Sequence, residues 1–92
     1  MQLTQTSSFN KIYKKLHSNQ LPAVNAAIKF ICDNPEAGEL KRGDLDWLRV
    51  YKFKINAQLV LLGYCVSGDD EIILTLAALG SHENFYRDIK RT

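Results

Sequence analysis

The sequence predicts an α+β fold in which a helical hairpin packs on an antiparallel-rich sheet, with its elements in the order β-α-α-β-β-β-α. Three observations predict this class. Apolar residues recur at helical spacing over residues 9–32, alternate at strand spacing over residues 49–55, and then form two apolar runs separated by turn residues. Because 92 residues leave room for one core only, we expect a single domain over residues 1–92.

The first strand and the first helix are short. Leu3–Thr6 is predicted to be a strand, after which Ser7 and Ser8 are expected to cap a helix. The apolar face of that helix consists of Phe9, Tyr13 and Leu16, which are spaced four and three residues apart as a helix requires. Polar residues 17–19 interrupt the pattern and predict the end of the helix.

A second helix completes the hairpin. Its apolar face consists of Leu21, Val24, Ile28, Ile31 and Cys32. Pro22 lies in the first turn, where proline is tolerated, and Asn34-Pro35 ends the helix because a residue that precedes proline disfavours helical backbone. Residues 35–47 contain glycines and charged residues and are predicted to be a connecting loop.

The next segment, Arg49–Ile55, is predicted to be a strand with two different faces. Successive side chains of a strand point to opposite sides of the sheet. One face therefore carries Tyr51, Phe53 and Ile55, and the other carries Val50, Lys52 and Lys54. The first face is expected to pack against the core, and the second is expected to display two lysines.

Two further strands complete the predicted sheet. Asn56-Ala57 is short enough to turn a hairpin into Gln58–Val66, whose nearly continuous apolar run predicts a central strand covered on both faces. Residues 67–70 form a second turn, and Ile72–Leu79 follows as another apolar strand.

Composition excludes several classes of function. The apolar runs are far shorter than the ~20 residues of a membrane helix, and the first residues lack the blocks of a secretion signal, so we expect a soluble, cytoplasmic protein with no membrane partner. Cys32 and Cys65 have no second Cys or His at ligand spacing, so no metal, no cofactor and no disulfide framework are expected. Residues 1–54 hold nine Lys or Arg against five Asp or Glu, and this mild basic excess permits a polyanionic partner.

The last predicted helix carries the candidate catalytic residues. Gly80-Ser81 breaks the chain, and Ser81 is expected to cap a helix over His82–Arg91. His82 and Tyr86 are four residues apart and therefore share one helix face. Histidine exchanges protons near neutral pH, and tyrosine can stack on a base or donate a proton. The alternative is that both side chains serve only to pack the helix on the sheet.

Lys52 and Lys54 supply the charge that such chemistry requires. Cleavage of RNA needs a base for the 2′-hydroxyl, an acid for the leaving oxygen, and positive charge beside the phosphorane. Two ammonium groups on one strand face could supply that charge through contact with nucleic acid. Alternating lysines also keep an exposed sheet face soluble, and that interpretation stays open.

The chain resembles the RelE/ParE superfamily of toxins from bacterial type II toxin–antitoxin modules. The likeness extends over most of the chain, in the segments Phe9–Leu16, Asn34-Pro35, Gly43–Leu45, Tyr51–Lys54, Leu59–Tyr64 and Leu79–Asp88. Its most specific part, Gly80–Tyr86, is similar to the Gly-Ser/Thr-His-x-x-x-Phe/Tyr ending of YafQ-like toxins. The resemblance implies a RelE/ParE-like fold and a cognate protein antitoxin, with which the toxin would form a hetero-oligomer.

The same resemblance implies two alternative activities. RelE-like members are ribosome-dependent endoribonucleases that cleave mRNA, whereas ParE-like members inhibit DNA gyrase and have no nuclease site. In the first case His82 and Tyr86 match the catalytic pair, and Lys52 and Lys54 match a basic pair that RelE carries on a strand. Arg49 and Arg87 complete the candidate nucleic-acid contacts. The sequence departs from RelE-like members at Leu61, where they carry an arginine thought to hold the phosphate.

Overall fold

The elements of the chain follow the predicted order, with one short strand added. The computed structural model describes residues 1–90, apart from the side chains of residues 88 and 90. Its elements are β1 (Gln2–Gln5), α1 (Ser7–Lys14), α2 (Leu21–Asp33), β2 (Glu39–Leu40), a 3-10 turn (Gly43–Leu45), β3 (Arg49–Ile55), β4 (Gln58–Ser67), β5 (Ile73–Gly80) and α3 (His82–Lys90). Among these residues no helix is both long and apolar enough to span a bilayer.

The strands form one sheet in the order β1-β5-β4-β3-β2. The pairs β2–β3, β3–β4 and β4–β5 are antiparallel, and β1 is parallel to β5. β3 and β4 are joined by a two-residue turn in which Asn56 and Ala57 both have positive φ, 50° and 70°, as a tight hairpin with right-handed twist requires. The predicted α+β class and its antiparallel-rich sheet are therefore confirmed.

The helical hairpin covers one face of the sheet. Phe9 of α1 and Val24, Ala27 and Ile31 of α2 are buried against the sheet. The strand residues in this cluster are Ile55, Leu62, Tyr64, Leu74, Leu76 and Leu79. Burial of this apolar surface is the main stabilising contribution to the hairpin, because helices of this length are marginal on their own.

The last helix covers the opposite face. Phe85 and Ile89 of α3 are buried in a second cluster whose other members are Leu48, Val50, Leu61 and Ala78. Leu61 and Leu62 of β4 thus belong to different clusters, as strand alternation requires. β4 is covered on both faces, which confirms its prediction as a central strand.

Several predicted boundaries are corrected by the structure. The helix cap is Thr6, whose side-chain oxygen accepts a hydrogen bond from the Phe9 N–H at 3.1 Å, and Ser7 and Ser8 lie within α1. Because Thr6 serves as the cap, β1 ends at Gln5. The predicted end of the last helix at Arg91 lies outside the described residues.

The segment 35–47 is not a simple loop. Glu39–Leu40 forms β2, which pairs with Val50 and Arg49 of β3, and the 3-10 turn Gly43–Leu45 follows it. A two-residue strand has no periodicity to detect, so its position depends on tertiary contacts. One of these contacts is made by a buried tyrosine.

Tyr64 fixes the start of that segment. Its hydroxyl donates to the Pro35 carbonyl at 2.8 Å and accepts from the Gly38 N–H at 2.8 Å. A Cβ at Gly38 would lie 2.7 Å from Tyr64 Cε1, so the close approach requires glycine. Burial raises the pKa of Tyr64 above its ordinary value, since the phenolate would lose its hydration.

Tyr64→Phe is expected to lower the free energy of unfolding by about 1–3 kcal/mol, because it leaves the Gly38 N–H and the Pro35 carbonyl without their partner. The raised pKa adds a pH dependence. The protonated Tyr64 hydroxyl stabilises the fold fully below pH ~10, and this stabilisation is lost as the pH rises further. The Tyr64→Phe variant should not show this decrease in stability at high pH. Denaturant unfolding between pH 8 and pH 11 measures both effects.

The matched control is Tyr13→Phe, because the Tyr13 hydroxyl donates to Asn25 Oδ1 at the protein surface, where water can replace it. Its effect should be small at every pH. Equal stabilities of the two variants would contradict the role assigned to Tyr64.

Candidate functional site

The first turns of α3 place His82 and Tyr86 side by side. The helix begins directly after β5, and the Phe85 N–H donates to the Ser81 carbonyl at 2.8 Å. Phe85 points into the sheet, so the exposed His82 and the half-buried Tyr86 lie beside the buried face of the helix. Their ring centroids are 5.0 Å apart at 61°, an edge-to-face arrangement. The predicted pairing of the two residues on one helix face is confirmed.

Glycine at position 63 allows α3 to pack this closely. A Cβ there would lie 2.7 Å from Phe85 Cζ and 3.2 Å from Leu48 Cδ1. Such distances are shorter than van der Waals contact, so a larger residue would displace the Phe85 ring. Phe85 in turn contacts Tyr86 edge-to-face, with 5.0 Å between ring centroids. Gly63 therefore determines the position of the candidate site above the sheet.

A third side chain, Lys41, joins this pair, and sequence reasoning missed it. Its ammonium nitrogen lies 5.8 Å from the Tyr86 ring centroid and 3.9 Å from Glu39 Oε1. Hydrogen bonding with Tyr86 raises the pKa of Lys41 above its ordinary value, and partial burial opposes this effect. The Lys41 N–H donates to the Leu48 carbonyl at 2.9 Å, which continues the β2–β3 pairing. No signal in the sequence reveals Lys41, because its place depends on β2.

The cluster has the elements of acid–base chemistry on a phosphate. His82 provides a proton-transfer group, Tyr86 a hydroxyl and an aromatic face, and Lys41 a fixed positive charge. Within the described residues no group of three or more His, Cys, Asp or Glu side chains could hold a metal ion.

Lys52 and Lys54 lie on the face of the sheet that α3 covers. Both are exposed, and neither has a carboxylate partner among the ion pairs of the described residues. Lys52 is opposite Leu61, which is opposite Gly80 at the end of β5. Two strand spacings, about 10 Å, thus separate the backbone of Lys52 from the strand end that leads into His82. A single-stranded nucleic acid could contact both the lysines and the cluster.

The two arginines are placed differently. Arg49 is paired with Tyr64 and so faces the helical hairpin, opposite Lys52 and Lys54. Its guanidinium donates to the Gly38 carbonyl at 2.9 Å. Arg87 is exposed on α3 and donates to Asn84 Oδ1 at 2.7 Å. Arg49 is therefore not brought together with the lysines, and its proposed contact with nucleic acid stays a prediction.

Comparison with known proteins identifies the family. The model of the ParE-like toxins of type II bacterial toxin–antitoxin systems matches residues 3–90. The chain belongs to this family. No curated protein and no solved structure matches the chain. The toxin therefore has a cognate protein antitoxin as its partner, and the predicted superfamily is confirmed, whereas the YafQ-like likeness of Gly80–Tyr86 stays a prediction.

Gly63→Ala is expected to displace α3 and to lower the free energy of unfolding by about 1–3 kcal/mol, because the added methyl group overlaps the buried Phe85 ring. Denaturant unfolding measures the loss. Nuclear Overhauser effects between the His82 and Tyr86 rings report whether the pair stays together.

Gly80→Ala is the matched control, since a Cβ at that position would lie 3.8 Å from its nearest neighbours, an ordinary contact. It should retain both the stability and the ring contacts of the wild-type toxin. If Gly63→Ala were as stable as Gly80→Ala, Gly63 would have no special role in placing α3.

Proposed function

We propose that the toxin stops translation by cleaving mRNA on the ribosome, with His82 as the proton-transfer residue. One observation carries the proposal, namely the contact of the exposed His82 with Tyr86, beside which Lys41 is held. An exposed imidazole and an ammonium group that both lie beside the same phenol resemble the protein part of a ribonuclease site more than a packing cluster. Lys52 and Lys54 on the same sheet face extend the positive surface.

The proposed reaction assigns each group a step. The 2′-hydroxyl oxygen attacks the adjacent phosphorus while its proton passes to the His82 imidazole. The bond from phosphorus to the 5′-oxygen breaks, and this oxygen takes a proton from water, giving a 2′,3′-cyclic phosphate and a 5′-hydroxyl. Lys41 stabilises the charge that develops on the phosphoryl oxygens, and Tyr86 stacks on a base or orients the imidazole.

The ribosome is proposed to complete the site. The cluster contains one histidine, and a second proton-transfer group of the same kind is absent from the described part of the chain around it. Holding the RNA in the correct position relative to His82 lowers the activation barrier for cleavage, and the ribosome can hold the mRNA in that position. Purified RNA should therefore be cleaved poorly and ribosome-bound mRNA well.

Gyrase inhibition is the second candidate, and a specific observation favours it. Leu61 occupies the place of the arginine that RelE-like members carry, and it is completely buried in the cluster beneath α3. The toxin thus lacks a phosphate-binding side chain at that position. The match to ParE-like toxins also supports this candidate, since a gyrase inhibitor needs a binding surface and no proton-transfer pair.

His82→Ala is expected to reduce ribosome-dependent mRNA cleavage by ~10²–10⁴-fold, the typical contribution of a proton-transfer group. Tyr86→Phe should retain the stacking contribution, which is about 1–3 kcal/mol per base, and lose only what the hydroxyl provides. Cleavage rate and melting temperature should be measured on the same preparation of each variant. His17→Ala, at an exposed position between α1 and α2, is the matched histidine control and should leave cleavage unchanged.

Two results would contradict the proposal. One is full toxicity of the His82→Ala variant with an unaltered melting temperature. The other is loss of DNA supercoiling in cells that express the wild-type toxin while their mRNA stays whole, which would select gyrase as the target. A lower melting temperature with intact specific activity would assign His82 a structural role only.

Replacement of both Lys52 and Lys54 by alanine is expected to weaken RNA binding without changing sequence preference. The slope of log K against log salt should fall by ~1 for each phosphate contact removed. Salt titrations of RNA affinity measure this slope. The matched control is the double variant Lys14→Ala with Lys15→Ala, at exposed positions at the end of α1. If both double variants changed the slope equally, Lys52 and Lys54 would contribute only general surface charge and no specific phosphate contact.

A further inference from the structure

A groove opens at the end of the sheet where β3 begins and β4 ends. The two strand ends lie side by side because Arg49 pairs with Tyr64. The groove encloses about 480 Å³, and its apolar lining includes Leu40, Trp47 and Val66. Their exposed fractions are 50%, 46% and 38%, high for large apolar side chains that line one groove. This end of the toxin therefore has apolar surface that the described part of the chain leaves uncovered.

Trp47 is the largest of these side chains and has no partner of its own. Among the described residues its ring contacts no other ring, and its side chain makes no hydrogen bond. It also lines a neighbouring cavity of about 310 Å³ beside Ile89 of α3. Tryptophan is enriched at the centre of protein interfaces, because its ring buries a large area and its N–H can donate. Both the ring surface and the N–H donor of Trp47 are therefore available to a partner.

The loops at this end of the sheet are acidic. Residues 41–48 connect β2 to β3, and residues 68–72 connect β4 to β5. Together these two segments, here called the acidic loops, carry five exposed carboxylates, Asp44, Asp46, Asp69, Asp70 and Glu71. None of the five belongs to an ion pair of the described residues. Lys41 and Arg42 are the only basic residues of the same loops, so negative charge is in excess beside the groove.

The arginine within the groove does not cancel this excess. The Arg49 guanidinium donates to the Gly38 carbonyl at 2.9 Å, which directs it toward the chain itself. Asp46 lines the groove directly, beside Trp47. A ligand that enters the groove therefore meets an apolar centre with carboxylates next to it.

This charge decides which class of partner fits. Phosphate backbones and anionic membrane surfaces are negatively charged, so the acidic loops repel both. A second copy that docked symmetrically through the same groove would bring both sets of acidic loops together, and like charges repel. A basic polypeptide has the complementary charge, and its apolar side chains can cover the exposed ring.

We propose that this groove binds a basic segment of a protein partner, which seats a bulky apolar side chain on Trp47 between Leu40 and Val66. Lysine or arginine side chains that flank this anchor pair with Asp46 and with the carboxylates of residues 69–71. A backbone carbonyl of the segment accepts from the indole N–H. The apolar anchor supplies affinity, and the flanking charges select the partner.

The inference goes beyond the proposed function, because no residue of the groove is assigned a step in RNA cleavage. Lys52 and Lys54 lie on the face of the sheet opposite Arg49 and stay free for nucleic acid while the groove is occupied. The test below uses neither RNA nor ribosomes. Its failure is therefore distinguishable from failure of the nuclease proposal.

The intrinsic fluorescence of the intact toxin reports on this groove alone, because Trp47 is the single tryptophan of the chain. The probe is a synthetic five-residue peptide of alternating lysine and leucine, compared with its glutamate–leucine counterpart. The lysine peptide should move the emission to shorter wavelength and protect Trp47 from acrylamide, because the exposed indole becomes buried. The glutamate peptide should do neither, and added salt should weaken binding of the lysine peptide.

Ionic quenchers test the charge beside Trp47 without any peptide. Caesium should quench Trp47 more efficiently than iodide, each relative to free N-acetyltryptophanamide, because the acidic loops concentrate cations and repel anions. The triple variant Asp69→Asn, Asp70→Asn, Glu71→Gln should reduce this difference. Its unquenched emission should match that of the wild-type toxin, which checks that the loop keeps its structure.

Two single variants separate the roles of charge and apolar contact. Asp46→Asn should weaken binding of the lysine peptide about two- to fivefold, the range of one exposed ion pair. Glu83→Gln, at an exposed position in the first turn of α3, is the matched control and should leave affinity unchanged. Val66→Thr replaces a methyl group by a hydroxyl at nearly constant shape, and it should weaken binding while the quenching by caesium and iodide stays as in the wild-type toxin.

Four results would overturn the proposal. One is an unchanged Trp47 emission at saturating lysine peptide, and another is an equal response to both peptides. Equal losses of affinity in Asp46→Asn and Glu83→Gln would exclude the assigned charge recognition. An emission shift that grows with toxin concentration alone would assign the groove to a second copy of the chain.

Discussion

The two hydrogen bonds of the Tyr64 hydroxyl connect the buried centre of the sheet to the chain segment that reaches the candidate site. They hold Pro35 and Gly38 at the end of α2, and Gly38 leads directly into β2. β2 is too short to hold its own register, since two residues of pairing cannot offset the entropy of ordering them. The phenol therefore supplies the constraint that delivers Lys41 to Tyr86.

The residue before this tyrosine provides the corresponding constraint on the other face. Gly63 has no side chain to separate the sheet from Phe85, and α3 consequently lies close enough to bring Tyr86 to Lys41. Adjacent positions of one central strand thus fix the two halves of the candidate site. Successive side chains of a strand point to opposite faces. The large Tyr64 side chain therefore lies on the face of the helical hairpin, and Gly63 leaves space for α3 on the other face.

Local patterns predicted most of the fold. The alternation of Arg49–Ile55, the apolar run of β4 and the break at Gly80-Ser81 depend on neighbouring residues, and each gave the correct element. Features that depend on contacts between residues far apart in the sequence could not be predicted from local patterns. β2 and Lys41 are placed by Tyr64, and the face of Arg49 follows from the register with β4. The pair His82 and Tyr86 was found because helix spacing alone brings it together.

The parallel pairing of β1 with β5 joins residues that are far apart along the sequence. Gln2 lies opposite Ile73, and the Thr6 hydroxyl that caps α1 also donates to the Ala77 carbonyl, 71 residues away. Contacts of such separation form late, because a long loop must close before any of them is gained. During synthesis, β1 and the start of α1 thus remain without their sheet partner until β5 has been made. The order in which the chain is translated therefore delays the assembly of its own core, and α3, which carries His82, is made only after the strand that completes the sheet.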